Sequence, residues 1–155
     1  MLKFRRILVA VDMSDTSDRA VRFAGEMAQA AKTPVELFYV VGAMPREDRF
    51  IALTQPVAKV QRMILQEARE ELGKRGRRLI GKKAPFTVRV EFGDVFSTLL
   101  QRLTSGRPRV DLAVLGTHGR SGLSHAILGS VAEKLVRAAP CPVLVVKPEG
   151  FVPPK

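Results

Sequence analysis

The sequence predicts an α/β fold built around a parallel β-sheet. Five short apolar segments alternate with longer segments in which apolar residues recur at the helical period. Most of these apolar segments are continuous, as expected for strands that helices cover on both faces of the sheet. Ligands of such domains lie beyond the carboxyl ends of the strands, at the point where the strand order reverses.

The first half of the chain supplies two strands and two helices. The strand RILVAVD (6–12) precedes a helix over 15–32, for which Ser14, Asp15 and Ser17 are candidate caps. Its predicted apolar face is Ala20, Phe23, Ala24, Met27, Ala28 and Ala31. The strand PVELFYVV (34–41) follows, and then a polar connector over 42–55. Pro56 suits the first turn of the next helix.

That second helix has a long apolar face and then several glycines. The face is Val60, Met63, Ile64, Ala68 and Leu72. We expect Gly73, Gly76 and Gly81 to weaken the end of the helix, because glycine has a low helix propensity.

The second half continues the alternation. The segment FTVRVEF (86–92) alternates with period two and predicts a third strand. After Gly-Asp, a short amphipathic helix is predicted from Val95, Phe96, Leu99, Leu100 and Leu103. The fourth strand is RVDLAVLG (109–116), a helix is expected over about 129–139, and PVLVVK (142–147) is the fifth strand.

Composition indicates one globular domain. The chain has 155 residues, of which 46% are hydrophobic and 26% charged. We expect a single domain over 1–148 and a frayed tail over 149–155. The lone cysteine, Cys141, excludes an internal disulfide and fits a small core residue better than a reactive thiol. No apolar run reaches the length of a membrane span, and a cytoplasmic location is expected.

The charge of the chain points to anionic partners. The formal net charge is +11, and six basic residues with no acid fall within 74–83. Such a run favours contact with nucleotides, nucleic acid or anionic lipid, although a solvated surface is the commoner explanation. A non-specific nucleic-acid or anionic-surface binder is therefore the alternative function, which the single tyrosine and the lack of tryptophan or a recognisable binding motif do not favour.

A glycine-rich stretch separates the fourth strand from the last helix. It reads GTHGRSGLSHAILGS (116–130) and contains four of the twelve glycines. Glycines let a ligand approach the backbone, and a helix start offers free N–H groups, so the stretch predicts a phosphate site. The alternative is a connector that only turns the chain. The spacing fits neither a Walker loop nor the dinucleotide fingerprint.

The same stretch resembles a known family. Gly116, Gly119 and Gly129-Ser130 match the G-x2-G-x9-G-[ST] signature of the ATP-binding universal stress proteins. The start ILVAVDMSDTS and the Gly-Asp after the third strand are similar too, and the resemblance extends over about 3–148. It implies a doubly wound, Rossmann-like five-stranded parallel sheet of the adenine nucleotide α-hydrolase type.

The resemblance also implies a site and a ligand, ATP. Asp12 would lie near ribose and phosphates, and the Val40 backbone would meet adenine. The implied nucleotide-binding residues are Ala10, Val11, Asp12, Val40, Leu115, Gly116, Gly119, Gly129, Ser130 and Val131. Arg120, within the glycine-rich stretch, would add a bidentate donor to phosphate. Met13 stands where many members have glycine, and Tyr39 where the family often has histidine; we expect neither to block the site. Asp12 and Ser130 would hold Mg²⁺ loosely, and only together with ATP.

Binding does not imply catalysis. Fast phosphoryl transfer needs a positioned base, a fixed metal and charge stabilisation, and only Asp12 and Arg120 are available for these roles. We therefore expect a nucleotide-dependent regulatory protein of the stress response that hydrolyses ATP slowly or not at all. His118 and His125 are expected to have no catalytic role, and the family implies a homodimer through the strand at 142–147.

Overall fold

Strands and helices alternate along the whole described chain. The computed structural model describes residues 4–42, 56–117 and 129–150. The strands are β1 (Ile7–Val11), β2 (Val35–Val41), β3 (Phe86–Phe92), β4 (Leu112–Gly116) and β5 (Val143–Val146). The helices are α1 (Asp15–Ala31), α2 (Val57–Leu79), α3 (Val95–Ser105) and α4 (Ser130–Ala138).

The five strands form one parallel sheet with the order β3-β2-β1-β4-β5. The chain winds from β1 to one edge at β3, then returns beside β1 as β4 and continues to the other edge at β5. This is the doubly wound arrangement, and the predicted fold class is confirmed. The strand order reverses between β1 and β4, which is where open sheets of this kind form a crevice.

Side chains of the central strands alternate between two cores. Ile7, Val9 and Val11 belong to the core under α1 and α2. Leu8 and Phe38 belong to the core under α3 and α4. The central strands therefore bury side chains on both faces, which explains their nearly continuous apolar runs in the sequence.

Two predicted core residues, Phe23 and Met63, are exposed instead, by 47% and 55%. In α1 the buried face turns toward Val21 and Gly25, because the chain after α2 packs there: a Cβ on Gly25 would lie 3.4 Å from Ile80 Cγ1. In α2 the buried residues are concentrated in the second half of the helix. Periodicity alone defined the apolar faces too broadly.

The expected weakening of α2 by its glycines is wrong for Gly73 and Gly76. The helix continues through both to Leu79. Gly76 packs directly on the sheet: an added Cβ would overlap the Phe86 ring and lie 2.9 Å from Leu37 Cδ1. Only Gly81, with φ +58°, has the left-handed backbone that ends such a helix.

A buried ion pair fixes α3 against β2. Arg102 donates from Nε and Nη2 to the two Glu36 carboxylate oxygens, both at 2.7 Å, and both residues are nearly inaccessible. This two-bond geometry holds α3 at a defined position on the sheet. One wall of the cavity described next belongs to α3.

Candidate functional site

A cavity of about 230 Å³ opens where the sheet order reverses. Its inner wall is apolar and includes Phe38, Val40 and Leu99. Asp12, Ser17, Thr117 and Ser130 contribute polar groups to its lining. A slot with apolar walls and a few polar groups is the usual form of a small-molecule site.

The cavity brings together most of the predicted nucleotide-binding residues. Nine of them line it: Ala10, Val11, Asp12, Val40, Leu115, Gly116, Gly129, Ser130 and Val131. The other two, Gly119 and Arg120, lie outside the described residues, as do His118 and His125. The nine come from the ends of three strands and the start of one helix, far apart in sequence.

Asp12 is positioned by the turn that joins β1 to α1. Its Oδ1 accepts hydrogen bonds from Ser14 N, at 3.0 Å, and from Ser14 Oγ. Ser14 Oγ in turn accepts from Ser17 N at 3.2 Å and caps α1, as predicted. The turn therefore fixes the orientation of the Asp12 carboxylate at the cavity.

Helix α4 begins at the cavity without a cap from any described side chain. Gly129 occupies the N-cap position and its carbonyl accepts from Glu133 N at 2.9 Å. Gly129 N donates to the Thr117 carbonyl at 2.7 Å, which places the end of β4 beside the start of α4. The first-turn N–H groups and the positive end of the helix dipole lie beside the cavity, which is a favourable place for an anion.

Helix α3 lines the same cavity but has its own cap. Asp94 Oδ1 accepts from Ser97 N at 2.9 Å and from Ser97 Oγ at 2.8 Å. These hydrogen bonds hold the pKa of Asp94 below its ordinary value. The negative charge that stabilises this helix start belongs to the protein itself.

The end of β2 extends past the end of β1 at the crevice. The last β1–β2 pair is Val11 with Tyr39, whereas β2 pairs with β3 as far as Val41. Ile7 N donates to the Pro34 carbonyl, so the peptide groups of even-numbered β2 residues point toward β1. The Val40 carbonyl therefore faces the crevice beyond the last residue of β1.

Two backbone positions at the site have steric explanations. A Cβ on Gly116 would lie 2.8 Å from Thr16 Cγ2, so this glycine allows β4 to pass close to the start of α1. Met13 has φ +67°, a left-handed conformation that glycine adopts more easily.

Sequence reasoning missed several cavity residues. Phe38, Val95, Leu99 and Ala132 form much of the apolar wall, and Thr117 stands beside the start of α4. Periodicity identified Leu99 only as a core residue, because it shows that a side chain faces inward and not what it faces. Thr117 had a signal, since it directly follows Gly116 in the glycine-rich stretch.

Within the described residues, Cys141 and the potential metal ligands do not indicate a second reactive centre. Burial raises the pKa of the Cys141 thiol, which disfavours a reactive thiolate. Among the described residues, no three or more His, Cys, Asp and Glu side chains group closely enough to hold a metal ion. Within the same ranges, no helix is both long enough and apolar enough to cross a membrane.

The basic run at 74–83 is partly engaged in structure. Arg75 Nη1 and Arg78 Nη2 lie 2.5 and 2.8 Å from the two Asp18 carboxylate oxygens, and so tie α2 to α1. Lys83 Nζ lies 3.3 Å from Glu26. Asp18 lies in the first turn of α1, and its two ion pairs join α1 to α2.

The signature residues, the doubly wound sheet and the cavity at its switch point all agree with one family. A model of the universal stress protein family matches residues 3–147. The chain belongs to the universal stress protein family. A universal stress protein of Methanocaldococcus jannaschii is 30% identical over 152 residues, which cover 93% of this chain and 82% of that protein.

Solved universal stress proteins share the fold. One described as a complex with cAMP has a TM-score of 0.62 and 24% identity, over 94% of this chain and 98% of that one. Another, from Archaeoglobus fulgidus and described as a complex with dAMP, has a TM-score of 0.58 and 22% identity, over 94% and 100% of the two chains. At these identities the likeness establishes the architecture.

Proposed function

We propose that this universal stress protein binds an adenine nucleotide, ATP, in the cavity at the switch point and acts as a nucleotide-dependent regulator. The observation that carries the proposal is the uncapped start of α4 beside an apolar slot. The slot suits a planar base, and the helix start suits a phosphate. The solved relatives described with cAMP and dAMP support the same ligand class.

The phosphates belong at the start of α4 in this proposal. The backbone N–H groups of Ser130 and Val131 donate to phosphate oxygens, and Ser130 Oγ adds a further donor. Asp12, a carboxylate at the same cavity, would repel phosphate and is better matched to ribose hydroxyls, which donate hydrogen bonds. Gly119 and Arg120 lie outside the described residues. We propose Gly119 from the family signature, and Arg120 for its bidentate guanidinium, to complete the phosphate contacts.

The Val40 carbonyl accounts for base choice. A carbonyl oxygen only accepts hydrogen bonds, so it pairs with the exocyclic amino group of adenine. Guanine carries an acceptor oxygen at the corresponding position, which would face the carbonyl without a hydrogen. We therefore propose that the cavity prefers adenine to guanine.

Magnesium is proposed only as a companion of the nucleotide. Asp12 and Ser130 both line the cavity, and carboxylate and hydroxyl oxygens suit Mg²⁺. Asp12 already accepts two hydrogen bonds from Ser14, which leaves it a limited share in binding a metal. Phosphate oxygens would supply most of the ligands, so Mg²⁺ should bind weakly without ATP.

The nucleotide can be identified directly. The purified protein is denatured and the released small molecules are analysed by mass spectrometry, while protein stripped of ligand is titrated with ATP by calorimetry. We expect a released adenine nucleotide or measurable ATP binding by the stripped protein. The proposal is wrong if nothing is released and the stripped protein binds no ATP.

Hydrolysis should be slow or absent. Asp12 is the one carboxylate among the cavity-lining residues that the structure describes, and hydrogen bonds to Ser14 already engage it. Steady-state phosphate release should stay far below the roughly 10 s⁻¹ that is typical of enzymes. Release near that rate, lost in Asp12→Ala, would make the protein an ATPase.

A homodimer through β5 is proposed from the contrast between the two sheet edges. At β3 the exposed Thr87 and Arg89 are polar, and Arg89 pairs with Glu91. At β5 the strand is wholly apolar, and Val143, Leu144 and Val145 are only partly covered. Apolar edges are normally covered in proteins.

Light scattering at about tens of micromolar, near the affinity range where weak dimers form, should show a dimer that Val145→Lys disrupts and Thr87→Lys does not. A monomeric wild type, or an unchanged Val145→Lys dimer, would refute this interface.

A further inference from the structure

We propose that the outer surface of α1 and the C-terminal part of α2 binds single-stranded nucleic acid through its phosphates. We name it the α1–α2 basic surface. It consists of the exposed side chains Arg19, Arg22, Phe23, Lys74, Arg77, Arg78, Lys82 and Lys83. The proposal does not depend on nucleotide binding in the cavity.

Two of the acids next to this surface are already engaged, and two others, Asp15 and Glu149, lie beside Arg19 and Arg22. Asp18 pairs with Arg75 and Arg78, and Glu26 pairs with Lys83. No ion pair joins Arg22 or Lys82 to any acid within the described ranges. The surface therefore keeps an excess of positive charge that the protein does not neutralise, and a polyanion would release its counterions there.

Four cations, two of them in ion pairs and two of them free, surround a concave region. Arg22 and Gln29 of α1 face Arg78, Lys82 and Lys83 across a shallow depression of about 590 Å³. Asp18 fixes the Arg78 guanidinium at one side of the depression with a 2.8 Å hydrogen bond. Four cations around one depression match the spaced charges of a phosphate backbone better than a single ion.

An aromatic side chain on the same surface favours a single strand. Phe23 is 47% exposed and lies one helical turn after Arg19 and next to Arg22. An exposed ring beside cations can stack on an unpaired base, whereas the bases of a duplex are already stacked. A membrane-binding helix would instead need a continuous apolar face, and here the neighbours of Phe23 are charged.

This surface is separate from the cavity. Helices α1 and α2 cover one face of the sheet, and the inner wall of the cavity belongs to the other face, under α3 and α4. A nucleic acid on the α1–α2 basic surface and ATP in the cavity would therefore not exclude one another. The two ligands can be tested independently in the same protein.

The test measures the fluorescence anisotropy of a labelled oligothymidylate as protein is added, at about 50 and 200 mM salt. The oligonucleotide has about 20 nucleotides, which is longer than typical single-strand sites. The variant Arg22→Glu/Lys82→Glu reverses two free cations. Its matched control is Lys59→Glu/Arg62→Glu, the same change in charge at exposed α2 positions. Arg62 precedes Lys74, the first α2 residue of the surface, by about 18 Å along the helix, nearly two Debye lengths at 0.1 M salt.

We expect the wild type to bind with a salt slope of about −2 to −3, as three or four phosphate contacts would give. Arg22→Glu/Lys82→Glu should weaken binding by more than about tenfold and reduce the slope by about 1.4, whereas the control should change affinity by less than about threefold. Phe23→Ala should weaken binding of the single strand by about fivefold or more and leave binding of a duplex of equal length unchanged. Saturating ATP at constant ionic strength should not displace the strand.

Three results would overturn the proposal. One is an equal loss of oligonucleotide affinity in the double variant and in its control, which would mean that only the net charge of the protein matters. Another is a duplex that binds as tightly as the single strand and is equally sensitive to Phe23→Ala. The third is sedimentation of the wild type, but not the double variant, with phosphatidylserine vesicles when neither protein binds oligonucleotide; this would assign the surface to membranes.

Discussion

Helices α3 and α4 both begin at the cavity, but among the described residues only α3 has a side-chain cap. At α3, Asp94 accepts hydrogen bonds from the backbone and hydroxyl of Ser97. At α4, glycine stands in the equivalent position and no described side chain caps the helix. Both starts have first-turn N–H groups that find no partner within the helix, and both have the positive end of the helix dipole.

The difference indicates where an external anion is expected. A capped start has its negative partner within the chain, and a second anion there would be repelled. An uncapped start loses the stabilisation that a cap supplies, typically about 1 kcal/mol, unless a ligand replaces it. On this account, α3 serves the cavity as a wall and α4 serves it as the anion site.

The largest loss of ATP affinity is expected when α4 receives an aspartate cap like that of α3. Gly129 has φ −57°, so a side chain is compatible with its backbone. In Gly129→Asp the new carboxylate would accept from the first-turn N–H groups and repel phosphate. Hydrogen bonds to a charged group contribute about 1.5–3 kcal/mol each, so the loss of two should weaken ATP binding by about a hundredfold or more.

Thermal unfolding and a second variant separate capping from misfolding. Gly129→Asp should melt at or above the wild-type temperature, because aspartate is a good cap. Gly129→Asn supplies a cap without the charge and should bind ATP more tightly than Gly129→Asp. If calorimetry shows wild-type affinity in Gly129→Asp, the start of α4 is not the phosphate site.

Ser130→Ala should have a smaller effect. It removes one hydroxyl at the cavity and leaves the backbone N–H groups in place. The loss of one hydrogen bond to a charged group corresponds to roughly ten- to a hundredfold weaker ATP binding. The control is Ser105→Ala, because the Ser105 hydroxyl donates within α3 to the Gln101 carbonyl. This variant should bind ATP as tightly as the wild type.

The smallest effect on binding is expected at the capped helix. Asp94→Ala should lower the melting temperature and change ATP affinity by less than about threefold, a difference below 1 kcal/mol. Because folding lowers the pKa of Asp94, its contribution is present above the ordinary pKa of aspartate and disappears as the pH falls through the lowered value. The two proteins should therefore differ in melting temperature at neutral pH and converge in strong acid. A large loss of ATP affinity in this variant would place the anion at α3.

Much of the fold could be predicted from the sequence, because its signals are local. The strand at 86–92 and the core of the strand at 6–12 follow directly from apolar patterning, and Ser14 was identified as a cap from its position before an amphipathic segment. The family resemblance, which rests on the glycine signature and on ILVAVDMSDTS, implied the cavity residues at the ends of β1 and β4. These features depend on a few neighbouring residues, which a sequence displays.

Contacts between distant segments could not be predicted in the same way. Phe23 is exposed because the chain around Ile80 packs beside Gly25, and Gly76 remains helical because Phe86 and Leu37 fill the space next to it. Likewise, half of an apparently free basic run is bound to Asp18 and Glu26. Each of these depends on which elements meet after folding.

The most direct test of the central claim is a calorimetric titration of ligand-free protein with ATP and with GTP. We expect ATP to bind and Gly129→Asp to lose the ATP signal. We expect GTP to bind at least about tenfold more weakly, because guanine presents an acceptor oxygen to the Val40 carbonyl where adenine presents its amino group. Equal affinity for the two nucleotides would contradict the role of Val40. No binding of either nucleotide by a folded wild type would contradict the account as a whole.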